Sequence, residues 1–217
     1  MIGRRLPEER PRVAPVGYKI ATLLLSAGGD RAGFAGVSIG RGQTYGVEDD
    51  ARCAYGRRHA SPAPRCDCGF YCLGSEAEAR DLLCVTEYRF AALLTVDVLG
   101  SYIRYQRGLR YSRQRVTAVR VGACACGNPA ELLVDAGAGM TGRRALTGCC
   151  LSCAAGRIGL SFGAYARLAG VPVTADASPY VLGERDVVPR LVAEVTLLQA
   201  RLDRCQEQLG RLLGSDP

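Results

Sequence analysis

Residues 53–68 read CAYGRRHASPAPRCDC, and this stretch determines how its part of the chain can fold. It contains four metal-binding side chains at C-x5-H-x6-C-x-C spacing: Cys53, His59, Cys66 and Cys68. Three thiolates and one imidazole can close a tetrahedral shell around Zn²⁺ and leave no open position. The remaining side chains are small, turn-forming or charged, so a bound metal would supply the order that they lack. We therefore predict a structural zinc site in this loop.

A second group consists of four cysteines at C-x-C-x23-C-x2-C spacing: Cys124, Cys126, Cys150 and Cys153. Between its two halves, residues 131–135 and 145–148 predict strands around a glycine-rich turn. The order knuckle, hairpin, knuckle resembles a zinc ribbon, and four thiolates form a closed zinc shell. An iron–sulfur cluster is the alternative, because it too is held by four thiolates.

Two further cysteines leave the exact ligand sets open. Cys72 could replace Cys53 or Cys66, and Cys149 lies directly beside Cys150. The default for both is packing in the core, because a free cysteine behaves as a small hydrophobic residue.

A catalytic metal is disfavoured at the first group. His59 is the single histidine of the chain, and Ala60 and Ser61 follow it, whereas zinc deaminases carry H-x-E. A catalytic zinc also keeps a water in its fourth position and needs a nearby acid or base. We therefore predict no catalytic residue and a protein that is not an enzyme.

Composition points to a globular chain outside the membrane. The 217 residues are 48% hydrophobic and carry a net charge of +7, and 11 of them are cysteine. Arg4 and Arg5 are not followed by the apolar segment of a signal peptide. The longest apolar runs fall far short of the ~20 residues that cross a bilayer. We expect a cytoplasmic protein without membrane contact, and in a reducing compartment paired cysteines more often bind metals than each other.

Hydrophobic patterns predict an α+β protein with a mainly β metal-binding module. Strands are expected at residues 19–26 and 33–39, and again over 89–121 around a turn near Gly108. Ser75 and Glu78 form a capping box that predicts a helix over 75–84. We divide the chain into a flexible arm (1–16), a β-rich zinc-binding module (17–121), a zinc-ribbon-like segment (122–155), a linker with a short helix near 162–168 (156–186) and a C-terminal coiled coil (187–214).

The predicted coiled coil depends on an apolar heptad repeat. Its a and d positions are Val188, Leu191, Val195, Leu198, Leu202, Cys205, Leu209 and Leu212. β-branched residues at early a positions with leucine at d favour a parallel pair of helices. We therefore expect a homodimer, or a partner protein that supplies a helix.

An arginine- and tyrosine-rich segment spans residues 102–120. Its candidate contacts to nucleic acid or another anionic partner are Arg104, Tyr105, Arg107, Arg110, Tyr111, Arg113 and Arg115. Guanidinium groups bind phosphate and tyrosine rings stack on bases. On a strand, however, neighbouring side chains point to opposite faces, so the charges would not all line one surface.

The first cysteine group also resembles a motif of uncharacterised actinobacterial proteins. The resemblance covers residues 17–120 and lies in Gly17-Tyr18-Lys19, Cys53, His59-Ala-Ser-Pro62 and Cys66-Asp-Cys68-Gly-Phe-Tyr71. Gly108-Leu109-Arg110 departs from the family pattern, which has an aromatic residue in place of leucine. The resemblance implies a bacterial source with a GC-rich genome and a bound metal, and it transfers no activity.

These observations together predict a non-enzymatic protein with two zinc ions that presents metal-pinned loops to a macromolecular partner. Direct binding of DNA or RNA through residues 102–120 is one alternative. An iron–sulfur or redox protein is the other.

Overall fold

The computed structural model describes residues 12–37, 43–83, 88, 90–176 and 187–212. Within these ranges one sheet contains every strand: β1 Val16–Ser26, β2 Ala32–Gly36, β3 Thr44–Tyr45, β4 Glu48–Asp50, β5 Phe70–Leu73, β6 Ala92–Arg104, β7 Gly108–Val121, β8 Leu132–Met140, β9 Arg143–Cys149, β10 Gly159–Ser161 and β11 Val173–Ala175. The helices are α1 Glu76–Leu83, α2 Phe162–Ala169 and α3 Val187–Leu212. The predicted α+β class is therefore wrong, because the protein is mostly β.

Four strands form a closed circuit, in which each strand pairs with two of the others. β1 pairs with β6, β6 with β7, β7 with β5, and β5 again with β1, all antiparallel. The β6–β7 hairpin confirms the strand structure predicted over residues 89–121, where one or two long strands were expected around a turn near Gly108. Side chains on the inner face of this circuit belong to the main hydrophobic core, and Ala21, Leu94 and Tyr111 are among its fully buried members.

Helix α1 covers the opposite face of β1. Ala79 and Leu83 of the helix pack with Ile20 and Leu93 in a second, smaller core. Alternation along β1 explains both cores, because Ile20 and Ala21 point to opposite faces of the strand. The prediction of this helix is confirmed.

The hairpin between the two halves of the second cysteine group belongs to the main sheet. β9 pairs with β8 on one edge and with β1 on the other, with Leu23 opposite Leu146. β8 is longer than predicted, because a register shift between Asp135 and Gly139 lets pairing continue to Met140.

The region expected to be a linker also contributes strands. β10 pairs with β8, and β11 runs parallel to β7. Helix α2 lies between them and confirms the short helix predicted near 162–168. At the other end of the chain, Val16 already begins β1, so the predicted arm is paired at its last residue.

The predicted coiled coil is wrong. A coiled coil needs a second helix whose side chains fill the seam of a and d positions. No helix of the described residues fills the seam of α3, where Val195, Leu198, Leu202 and Leu209 are 50–63% exposed and Cys205 is also exposed. The side chains of Val188, Leu191 and Leu212 lie outside the described residues. The heptad spacing thus correctly predicted a helix, but spacing alone does not provide the partner.

A search of the described helices finds none that is both long and apolar enough to span a bilayer.

Candidate metal centres

The first predicted ligand group is assembled in space. The donor atoms of Cys53, His59, Cys66 and Cys68 all lie within 4.8 Å of one another. The sulfur atoms of Cys53 and Cys66 are 3.8 Å apart, and Cys68 Sγ lies 3.8 Å from His59 Nδ1 and 3.9 Å from Nε2. A tetrahedral zinc shell with Zn–S bonds of about 2.3 Å places two sulfurs about 3.8 Å apart. The group therefore has the dimensions of a zinc shell.

The sheet brings the two ends of this loop together. β4 precedes the loop and pairs Asp50 with Arg113, whereas β5 follows it and pairs Phe70 with Tyr111. Both strands use the same partner, β7, and their pairing sites are two residues apart along it. The loop of residues 51–69 is thus anchored at both ends on one strand.

Arg110 of β7 connects this loop to the sheet through hydrogen bonds. Its guanidinium donates hydrogen bonds from Nη1 to the backbone oxygen of Cys66 and from Nη2 to that of Ala63, the latter at 3.1 Å. The side chain is buried, with Tyr71 and Tyr105 rings 6.0 and 5.8 Å away. Gly69, at φ +129°, leaves the necessary space, because a Cβ there would lie 2.9 Å from Arg110 Cγ.

The hydrogen bonds around the loop favour metal binding at two of the ligands. His59 Nδ1 lies 3.0 Å from the Ala60 oxygen, so a proton on Nδ1 donated to that oxygen leaves Nε2 free for a metal. Burial opposes the thiolate of Cys53, but backbone N–H groups of Tyr55 and Arg57 stabilise it and lower its pKa to about 7. Metal ligation requires deprotonated cysteine, which this arrangement makes accessible near neutral pH.

The second predicted group is also assembled. The sulfur atoms of Cys124, Cys126, Cys150 and Cys153 lie within 4.8 Å of one another, and those of Cys126 and Cys150 are 3.6 Å apart. Cys124 and Cys150 are buried, whereas Cys126 and Cys153 are exposed. The site therefore lies at the protein surface with two ligands facing the core.

Two tight turns at the open end of the β8–β9 hairpin position these sulfurs. We call these turns, at residues 124–127 and 150–154, the knuckles. Gly127, at φ 89°, donates its backbone N–H to the oxygen of Cys124 at 2.8 Å, and Ala154 donates to Cys150 at 3.0 Å. Glu131 joins the knuckles, because its backbone N–H donates to Cys149 and its carboxylate accepts from the N–H of Leu151, both at 2.9 Å.

Cys149 and Cys72 stand outside the two groups of four. Cys149 is buried with its sulfur 3.9 Å from Cys124 Sγ, and Cys72 is buried in the main core. Burial opposes the thiolate of Cys124, but the backbone N–H groups of Cys126 and Cys150 favour it and lower its pKa to about 6. At Cys149, burial and the neighbouring Cys124 raise the pKa of the thiol. The thiolate form is therefore favoured at Cys124 over Cys149.

The arginine- and tyrosine-rich segment does not form one cationic face. Arg110 and Tyr111 are buried in the core. Three further arginines of the segment are paired with acids: Arg107 with Glu78 at 2.9 Å, Arg113 with Asp50 at 3.7 Å and Arg115 with Glu48 at 2.5 Å. Arg104 and Tyr105 remain at the surface, where Tyr105 is 49% exposed.

A different cationic surface surrounds the first metal group. Arg52, Arg57, Arg58 and Arg65 are exposed, and within the described part of the chain none of them forms an ion pair. Tyr55 is 52% exposed and its ring lies 5.8 Å from the Arg57 guanidinium. We call these five residues the loop surface. Arg57, Arg58 and Arg65 lie within the Cys–His spacing and Arg52 directly precedes it, but the sequence does not show that none of them pairs with an acid of the described residues.

Comparison of the chain with protein-family models, with curated proteins and with solved structures finds no match.

Proposed function

We propose that the protein binds two Zn²⁺ ions in closed, structural sites. The observation that carries this proposal is the separation of the donors. Each group gathers four ligand atoms within 4.8 Å of one another, and one sulfur pair in each, at 3.8 Å and 3.6 Å, is close to the spacing in a tetrahedral zinc shell. Neither group leaves a donor position free for water, which supports a structural role over a catalytic one.

The protein then acts as a non-enzymatic interaction protein that presents its metal-pinned loops to a macromolecular partner. The loop surface favours an anionic partner, because its four exposed arginines form no ion pair with any acid among the residues that the structure describes. Such a loop is rich in turn-forming residues and depends on its metal for a fixed shape.

Single-stranded nucleic acid is the second candidate partner, and a specific observation favours it. The exposed ring of Tyr55 beside Arg57 combines a stacking surface with phosphate-binding cations. This observation supports candidate contacts on the metal loop rather than on residues 102–120, the segment that the sequence pattern indicated.

Elemental analysis of the purified protein tests the metal proposal, with two equivalents of zinc as the expected result. An absence of bound metal, or iron with sulfide and visible absorbance at the second site, would contradict it. The partner proposal is tested by binding of a fluorescent single-stranded oligonucleotide before and after chelation. We expect metal removal to weaken binding, because the loop surface loses its shape.

A further inference from the structure

Lys19 is the only lysine of the chain, and its partly buried side chain extends from β1 to Gln114 of β7. Nζ donates a hydrogen bond to Gln114 Oε1 at 3.2 Å and lies 4.7 and 4.8 Å from the ring centroids of Tyr45 and Phe70. A lysine seldom occupies such a place, since its charge is costly to remove from water. The metal centres do not use this amine.

Gln114 is fixed with its oxygen toward the lysine. Oε1 accepts from Lys19 and from the Tyr111 hydroxyl, the latter at 2.9 Å, and an ammonium group can only donate. The Tyr45 hydroxyl lies near the Gln114 amide, yet neither it nor Gln114 Nε2 has a partner of hydrogen-bond geometry among the described residues. Buried donors without hydrogen-bond partners are uncommon in folded proteins.

A cavity of about 380 Å³ opens beside the amine. Lys19, Tyr45, Phe70 and Cys72 belong to its lining, with Tyr105 on the same wall. Aromatic walls with a few convergent polar groups are typical of sites for small organic molecules. Lys19 is the lining side chain that carries an amine, and Nζ suits a ligand with an oxygen acceptor.

We propose that this cavity binds a small aldehyde or ketone and that Lys19 Nζ forms an imine with its carbonyl carbon. The lone pair of Nζ attacks the carbonyl carbon, and the π electron pair of C=O moves to the oxygen. The nitrogen then passes two protons to this oxygen, which leaves as water, and a C=N bond replaces C=O. Amine and carbonyl compound thus give imine and water, without an oxidant or reductant.

The electrostatic surroundings support a nucleophilic amine. Burial lowers the pKa of Lys19 to about 8, and the nearby Cys72 only partly opposes this. Burial also raises the pKa of Cys72, Tyr45 and Tyr111, so these neighbours stay neutral at neutral pH. The remaining charged group of the lining, Arg107, is paired with Glu78. At pH 7.5 about a quarter of Lys19 is then neutral, against about one part in a thousand for an ordinary lysine.

Reductive trapping tests this proposal on the full-length, metal-loaded protein. The probe is butanal with sodium cyanoborohydride at pH 7.5, and peptide mapping by mass spectrometry locates the alkyl group. We expect modification of Lys19 at a rate at least about tenfold above that of the same chain unfolded in urea. Modification confined to the terminal amine, or equal rates in the folded and unfolded chains, would overturn the proposal.

Two variants separate the chemistry from the fold. Lys19→Arg keeps a cation but has no amine that forms an imine, so the adduct should vanish from this position. Tyr45→Phe is the matched control, because it keeps the ring beside Nζ and removes a hydroxyl that has no surface toward the cavity, so trapping at Lys19 should keep its rate. Loss of trapping in this variant with unchanged far-UV circular dichroism would contradict the placement of the carbonyl group beside Nζ. Because the decisive rates come from the unsubstituted chain, failure of a variant to fold does not affect them.

Discussion

Arg110 donates a hydrogen bond from its guanidinium to the backbone oxygen of Cys66, and so joins the main core to the first metal loop. A second bond reaches Ala63 at 3.1 Å. A strand in the core thereby fixes the position of a ligand in a loop that has little regular structure of its own. Outer hydrogen bonds of this kind orient metal ligands and tune their affinity.

Arg110→Met should weaken zinc at the first site about 10- to 100-fold, because the Cys66 and Ala63 oxygens lose their donor. Competition with a chromophoric chelator measures this affinity. Arg115→Met is the matched control, since that arginine lies on the same strand in an exposed pair with Glu48. An exposed pair contributes about 0–1 kcal/mol, so the control should keep its zinc affinity. Equal affinities in both variants would show that Arg110 does not support the site.

Substitution of the adjacent residues Cys149 and Cys150 should have opposite effects on the zinc content of the second site. Cys150→Ser removes a member of the four-sulfur group and should release about one equivalent of zinc, as should Cys126→Ser. Cys149→Ser changes a buried thiol outside that group and should retain both equivalents. Metal content after gel filtration distinguishes the variants. Loss of metal from Cys149→Ser together with retention in Cys150→Ser would reverse the assignment.

The same comparison applies to the first site. Cys66→Ser should lose about one equivalent of zinc, whereas Cys72→Ser should keep both, because Cys72 lies in the main core beside Tyr111. Cys72→Ser should instead lower the free energy of unfolding by about 1–2 kcal/mol, since a buried hydroxyl is costlier to remove from water than a thiol. Urea denaturation measures this change. Loss of zinc from Cys72→Ser would mean that Cys72 is a ligand.

The local parts of this structure were predictable from sequence. A segment dominated by Leu, Val, Tyr and Ile and free of proline indicated the strands of the β6–β7 hairpin, and the capping box at Ser75 indicated α1, because neighbours along the chain determine these features. The ligand groups were predictable for a similar reason. Thiolate and imidazole donors at short spacing have few other uses in a loop without regular structure.

Long-range relationships could not be read in this way. Strands β1 and β9 pair although Leu23 and Leu146, which lie opposite each other, are 123 residues apart. Such a pairing depends on which strand edges the rest of the sheet leaves free, and a local sequence pattern does not contain that information. Arg110 appeared exposed in a cationic segment, yet it is buried beneath the metal loop because the Cys66 and Ala63 oxygens face it. The heptads of α3 likewise predicted a seam without showing whether anything fills it.

Arginines of the loop surface should control binding to anionic strands. Replacing Arg57 and Arg58 by glutamine should reduce the salt dependence of oligonucleotide binding by about 1.4 in the slope of log K against log salt, if both contact phosphate. Replacing Arg113 and Arg115 by glutamine is the control, because both pair with acids of β4. Fluorescence anisotropy at several salt concentrations measures the slopes. Equal slopes in the two double variants would contradict a role for the loop surface.

Lys19→Met should stabilise the protein below pH 8 and remove part of its pH dependence. The folded chain holds Lys19 at a pKa of about 8, lowered from 10.5 by burial, so between these values the unfolded chain binds more protons. The contribution of Lys19 to the free energy of unfolding therefore rises with pH from about 8 to 10.5. The lowering of the Lys19 pKa corresponds to about 3 kcal/mol in the free energy of unfolding. This cost to the folded state is fully present below pH 8 and is lost as the pH rises to 10.5.

Urea denaturation of both proteins between pH 7 and pH 10 measures this effect. Both curves are recorded in a Cys72→Ser background, because Lys19 lowers the pKa of the neighbouring Cys72 and the titration of that thiol would otherwise differ between the two proteins. We expect the advantage of Lys19→Met to shrink steadily above pH 8. An advantage that stays constant over the whole range would mean that the methionine acts by packing alone and that the amine is charged at no cost. A loss of stability at every pH would show that the contacts of Nζ with Gln114 and the two rings outweigh the cost of burying the amine.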